Sequence, residues 1–185
     1  EDPDRFVKAA ASAGDGFDYR KLAPDKDHVG IHLIALGDVE RYGFNRNGDA
    51  FAKVACQQYH DTFVSNGMLF RHHQNKDKAK GLGKVAASSY NDPMGRIELF
   101  VHAHKEKAKP ELDKLEKSGE VPFSMACRVK FDRCSICNNI RKSSRDPNQC
   151  DHVKNDLGKV AEDGRVTGTY NDEPNFFDIS FVWRP

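Results

Sequence analysis

No apolar run in the sequence approaches the roughly 20 residues that a membrane-spanning helix requires, and the amino terminus lacks the charged-then-apolar layout of a signal peptide. The expectation is a soluble, unsecreted protein with no membrane partner. Neither sign of charge dominates, since 29 Lys and Arg stand against 28 Asp and Glu. A net charge of +1 gives no general reason to expect nucleic acid as partner. Cysteine is scarce and odd in number, five in all, which argues against a disulfide framework and for a reducing, intracellular setting. Internal repeats and low-complexity segments are absent as well.

What is present is a globular composition. Charged residues make up 31% of the chain, and Val, Ile, Leu and Phe still suffice for a core. Residues 1–27, rich in Asp, Lys, Ala and Gly, predict a mobile arm with at most one short helix. Residues 28–185 then predict a single domain.

The apolar, β-branched stretch His28 to Leu36 reads as a buried strand. After the turn-forming Asn45-Arg46-Asn47-Gly48-Asp49, the positions of Phe51, Val54, Ala55 and Phe63 predict one amphipathic helix ending at Asn66-Gly67. A strand at Met68–Arg71 delivers His72 and His73. Gly83 to Ser89 and Gly95 to His104 read as paired strands around Asn91-Asp92-Pro93. In the second of these, Ile97, Leu99 and Val101 alternate with Glu98, Phe100 and His102. His102 and His104 are assigned to a solvated face. A short helix from Pro110 to Ser118-Gly119 follows, then a strand from Val121 to Phe131 that holds Ser124, and final strands at Arg165–Tyr170 and Phe176–Trp183. The predicted class is α+β, mainly β, with two or three helices.

Cys134-x-x-Cys137 and Cys150-x-His152 form two close pairs of soft or borderline ligands, the layout by which a zinc knuckle closes a tetrahedral site. The polar segment between them cannot build a core and would take its order from metal. The reading is a Cys-rich insertion over 132–153 with structural zinc; the alternative is a set of reduced surface thiols. Four protein ligands leave no open position for water activation. The basic run Arg141-Lys142-Ser143-Ser144-Arg145 admits a nucleic-acid-binding zinc module as a rival, but the insertion lacks aromatic residues for base stacking. Cys56 and Cys127 read as buried, apolar-like residues.

The succession LFRHHQNKDKAKGLGKV, a hairpin ending ELFVHAH, a charged helix and SGEVPFSMACRV resembles the prohead maturation proteases of tailed phages, which are similar in turn to herpesvirus assemblins. The resemblance rests on a strand-closing histidine, a polar loop, Leu82-Gly83-Lys84-Val85, and a serine in the short apolar strand after Gly119. It implies a bent antiparallel sheet or β-barrel of the assemblin type. It also implies a serine endopeptidase that cleaves scaffold and capsid proteins, and itself, inside the procapsid within an infected bacterium.

Ser124 is then the nucleophile and His73, or His72, the base that takes its proton, with no cofactor needed for catalysis. If both histidines are extended they point to opposite faces, so only one would reach Ser124. Asp178 is the first candidate for the third member, because a carboxylate in the apolar stretch Phe176 to Val182 needs a partner; the competing reading is an edge-strand aspartate facing water. Asp49 is a second candidate. His152 is a third, since assemblins use a second histidine downstream of the serine. Arg128 and Arg165 are oxyanion candidates. The resemblance also makes a homodimer possible, and it leaves open whether Pro185 is a self-cleavage end or a designed one. From another class stands a non-enzymatic, zinc-stabilised internal capsid protein.

Overall fold

The structure is a computed structural model that describes residues 17–18 and 21–183, so most of the expected arm, and Pro185, lie outside the described residues. The chain divides into two compact units. One takes in the residues up to Leu36, His60–Cys127 and those from Phe176 onward; the other takes in Gly37–Tyr59 and Arg128–Asn175. The segment 132–153, read from the sequence as an insertion, falls within the second of these units. Its partner segment is far away in sequence, where apolar periodicity gives no sign of the association.

The first unit is built on a six-stranded sheet. Its strands are β1 (His28–Gly37), β3 (Met68–Arg71), β4 (Gly83–Asn91), β5 (Arg96–His104), β6 (Phe123–Arg128) and β10 (Asn175–Phe181), in the order β1-β5-β4-β3-β10-β6. The sheet curls into a half-barrel. β4 pairs antiparallel with both β5 and β3, but β10 pairs parallel with β3, Asp178 opposite Met68 and Ser180 opposite Phe70. The sheet is thus mixed rather than wholly antiparallel. A parallel pair cannot be closed by a hairpin, and here more than a hundred residues separate the two strands.

β5 alternates as the sequence predicts, yet both of its faces are buried. Ile97, Leu99 and Val101 are fully enclosed, and so is Glu98 on the opposite face. Glu98 tolerates that burial because it is surrounded by donors: His32 Nε2 lies 2.8 Å from Oε2, and Arg96 Nε (2.7 Å) and Asn91 Nδ2 (3.0 Å) donate to Oε1. His102 and His104 are half-buried rather than solvated. His102 Nε2 meets the Leu22 carbonyl at 2.9 Å, and His104 Nδ1 accepts from the Glu106 backbone at 3.3 Å.

Apolar packing is completed by Phe63 stacked on Phe176 at 4.4 Å and by Phe123 against Phe181 at 4.8 Å. The helix predicted over residues 50–66 is two helices, α2 (Lys53–Tyr59) and α3 (Thr62–Asn66). Val54 and Val64, which would extend an apolar stripe, are exposed. At the break, Ser88 Oγ lies 2.8 Å from His60 Nδ1 and donates to the His60 carbonyl at 3.0 Å.

α4 (Lys109–Ser118) begins with Pro110 in its first turn and ends at Gly119, whose φ of 73° is the left-handed conformation that glycine adopts without strain. Glu111 of α4 receives Arg71 Nη2 at 2.8 Å, which ties the helix to the last residue of β3, next to His72. At Gly83 a Cβ would run into the His102 carbonyl, so the Leu82-Gly83 step needs glycine for close strand approach.

The second unit holds a four-stranded sheet of very short strands: β2 (Asp49–Ala50), β9 (Thr169–Tyr170), β7 (Asp132–Cys134) and β8 (Ile140–Arg141), in that order. The predicted strand at 165–170 is reduced to β9, and the strand predicted to run on to Phe131 stops with β6 at Arg128. α1 (Val39–Tyr42) is capped by Asp38, which accepts from the Arg41 N–H at 2.9 Å, and α5 (Asp151–Asn155) follows Cys150. The described chain is α+β, mainly β, with five α-helices rather than two or three. None of the described helices is long and apolar enough to cross a membrane.

Candidate active site and metal centre

The backbone leaves β3 at Arg71 and turns through two consecutive left-handed residues, His72 (φ 47°) and His73 (φ 55°). Neither histidine is extended, so the opposite-face argument does not apply. Two adjacent non-glycine residues in this region are costly, about 1–2 kcal/mol each, and persist only where surrounding contacts hold them. Here β10 supplies those contacts: the His72 N–H donates to the Phe181 carbonyl at 2.9 Å and the His73 N–H to Ser180 Oγ at 3.2 Å.

This turn brings His73 onto Asp178. His73 Nδ1 lies 3.0 Å from Asp178 Oδ2, across 105 residues of sequence. Asp178 is 0% exposed and stands on β10, which lies between β3 and β6. The alternative of an edge-strand aspartate facing water is thereby overturned. Ser180 Oγ donates to Oδ1 at 2.6 Å, and Asn75 Nδ2 donates to Oδ2. The buried carboxylate thus receives donors on both oxygens, which is what allows it inside an apolar strand.

His72 has a different environment: its ring stacks on Trp183 at 5.2 Å, with Lys114 Nζ 5.6 Å from the indole centroid. The structure gives His73, not His72, the carboxylate partner.

Ser124 sits half-buried on β6, the strand beside β10. No hydrogen bond joins it to either histidine among the described residues. Nucleophile and base in substrate-free hydrolases are often further apart than in the Michaelis complex. A groove of about 1750 Å³ is lined by residues 29–33 of β1, by α4 and by the segment up to Phe123, the neighbour of Ser124; Ser124 and His73 are not among its lining residues.

The remaining catalytic candidates are engaged elsewhere. Asp49 accepts from Thr169 Oγ1 at 3.1 Å and Asn171 Nδ2 at 3.3 Å, a structural link between β2 and the β9 region. Arg165 gives its guanidinium to Asp163 and to the Ser135 carbonyl, all within the second unit. Arg128 is exposed at the end of β6.

His152 belongs with the cysteines. Ligand atoms of Cys134, Cys137, Cys150 and His152 all lie within 4.8 Å of one another, and none of the cysteines is in a disulfide. β7 delivers Cys134, the following turn Cys137, and the start of α5 Cys150 and His152. His152 Nδ1 is buried with no hydrogen-bond partner, an orphan that a cation would satisfy. Burial opposes the Cys137 thiolate, but the Asn139 backbone N–H, His152 and the neighbouring thiols outweigh it and hold its pKa at about 7. Burial pushes Cys150 up to about 11. The donor set fits a bound metal ion.

Comparison with protein-family models, with curated proteins and with solved structures found no match.

Two donors to Asp178, Ser180 and Asn75, were given no role from the sequence. Ser180 stands two residues after Asp178, on the same face of its strand, and that spacing was a usable signal. Asn75, in the polar loop after the histidines, carried none.

Proposed function

We propose that this chain is a serine endopeptidase in which Ser124 is the nucleophile, His73 the general base and Asp178 the carboxylate that orients it. The observation that carries this reading is the His73–Asp178 hydrogen bond at a strand end, beside the strand that holds Ser124. With its Nδ1–H given to Asp178, the His73 ring keeps Nε2 available to take the serine proton. Ser124 Oγ then attacks a peptide carbonyl, His73 passes the proton to the leaving amine, and water releases the acyl group by the same route. The chain's resemblance to prohead maturation proteases makes scaffold and capsid proteins the substrates and the procapsid interior the place of action. On the same ground self-cleavage is part of its activity.

The metal at Cys134, Cys137, Cys150 and His152 is zinc in a structural role. Tetrahedral closure by four protein ligands would fix the polar segment between the two ligand pairs and leaves no site for an activated water.

Co-expression with the capsid and scaffold proteins of its own phage, read by intact mass, tests the assignment. Processing is expected with the unaltered chain and with His72→Ala, and is expected to stop with Ser124→Ala and His73→Ala. Unchanged processing in Ser124→Ala would leave the non-enzymatic, zinc-stabilised capsid protein as the reading. That alternative is favoured by one observation, the lack of a hydrogen bond between Ser124 and either histidine.

A further inference from the structure

We infer that Ser180 is a positioning residue of the site, coupling the backbone of the base to its acid through one hydroxyl. The inference rests on the reading of His73 and Asp178 as base and orienting acid. The donor assignment follows from the chemistry of the groups. The His73 backbone N–H can only donate, so Ser180 Oγ accepts from it, at 3.2 Å. The single Ser180 proton then goes to Asp178 Oδ1, at 2.6 Å. Oδ2 is left for the His73 ring, at 3.0 Å, and for Asn75.

The arrangement is a closed ring: His73 backbone to Ser180 hydroxyl, hydroxyl to carboxylate, carboxylate back to the His73 imidazole. Ser180 is 0% exposed, so no water replaces the hydroxyl at low cost. The same hydroxyl holds His73 in its left-handed conformation, from which the side chain reaches Asp178. Displacing either end of the ring rotates the imidazole away from the orientation that presents Nε2. Asn75 assists from the other side by fixing Oδ2, but it leaves the His73 backbone untouched.

The test uses the whole chain and two readouts. The first is the His73 imidazole tautomer, followed by nitrogen-15 NMR. The second is the rate at which a fluorophosphonate labels Ser124, a reaction in which the serine oxygen bonds to phosphorus, fluoride leaves and the serine proton passes to the base. In the unaltered chain His73 is expected as a single tautomer protonated on Nδ1. In Ser180→Ala a mixture of tautomers is expected, with labelling slowed about ten- to a hundredfold. Ser180→Thr, which keeps the hydroxyl, is expected to restore both readouts in large part.

If Ser180→Ala folds and leaves both the tautomer and the labelling rate unchanged, the inference is overturned. If Ser180→Ala does not fold, Asn75→Ala combined with Ser180→Thr decides: a single tautomer retained through the hydroxyl supports the ring, and a mixed one contradicts it. Failure of the protease reading is distinct, because it appears as absent labelling in the unaltered chain while the tautomer readout still reports on Ser180.

Discussion

His73 and Asp178 are 105 residues apart in sequence and 3.0 Å apart in the structure, the histidine exposed by about a third and the aspartate fully buried. An imidazole with one nitrogen fixed on a buried carboxylate and the other side open is the arrangement a general base requires. Asp178→Asn keeps the shape but turns an acceptor into an amide that cannot select the Nδ1–H tautomer. Fluorophosphonate labelling of Ser124 is expected to fall by about a thousand- to ten-thousandfold, and labelling at the unaltered rate would remove Asp178 from the site.

The two histidines should separate cleanly. His73→Ala removes the proposed base and is expected to abolish labelling at neutral pH. His72→Ala removes a ring stacked on Trp183 and is expected to keep labelling within about tenfold of the unaltered rate. Measuring both variants at one pH checks the assignment, and the reverse order would exchange their roles.

Metal removal is expected to act on the second unit. Elemental analysis should find one zinc per chain, lost in Cys134→Ser and His152→Ala. Chelation should expose residues 138–149 to limited proteolysis, since that polar segment has little apolar packing to hold it. Binding that survives loss of two ligands would mean that the cluster is not the metal centre.

The cysteines differ in reactivity. Burial raises the Cys56 thiol to about 12, so at pH 8 the nucleophilic thiolate is essentially absent. Iodoacetamide at pH 8 is expected to spare Cys56 in the folded chain and modify it after denaturation. An unfolded thiol ionises near its ordinary value of about 9, and burial therefore makes the fold lose stability as pH rises from there toward 12. Mass mapping of the alkylated chain and a pH series of urea unfolding check these two statements.

Glu98 supplies a stability test away from the site. Glu98→Ala would remove the buried carboxylate that meets His32 and accepts from Arg96 and Asn91, a loss of about 1–3 kcal/mol in urea unfolding. A loss below about 1 kcal/mol would show that the cluster relaxes or hydrates.

In the first unit the continuous apolar run of β1 and the alternation of β5 are long enough to register. Met68–Arg71 and the pair Gly83–Asn91 with Arg96–His104 fall close to where periodicity puts them. The second unit's sheet was not legible, since strands of two or three residues carry no alternation, and β2 meets β9 only through long-range pairing. The single helix expected over 50–66 failed at His60-Asp61, where side-chain hydrogen bonds to Ser88 compete with helix continuation.

Residue types pointed to a histidine, a serine and an acid, but which of His72 and His73 meets Asp178 depended on two left-handed residues that the sequence does not announce. The burial of Asp178 likewise depended on donors from Asn75 and Ser180 that become neighbours only in the fold. The Cys134, Cys137, Cys150 and His152 cluster was the most legible element, because its residue pairs are local in sequence.

The central claim is most directly tested by treating the purified chain with a fluorophosphonate and locating the adduct by peptide mass mapping. A single adduct on Ser124, absent in Ser124→Ala and in His73→Ala and present in His72→Ala, is the predicted result. No adduct on Ser124 in the unaltered chain, or one that forms equally well without His73, would contradict the account.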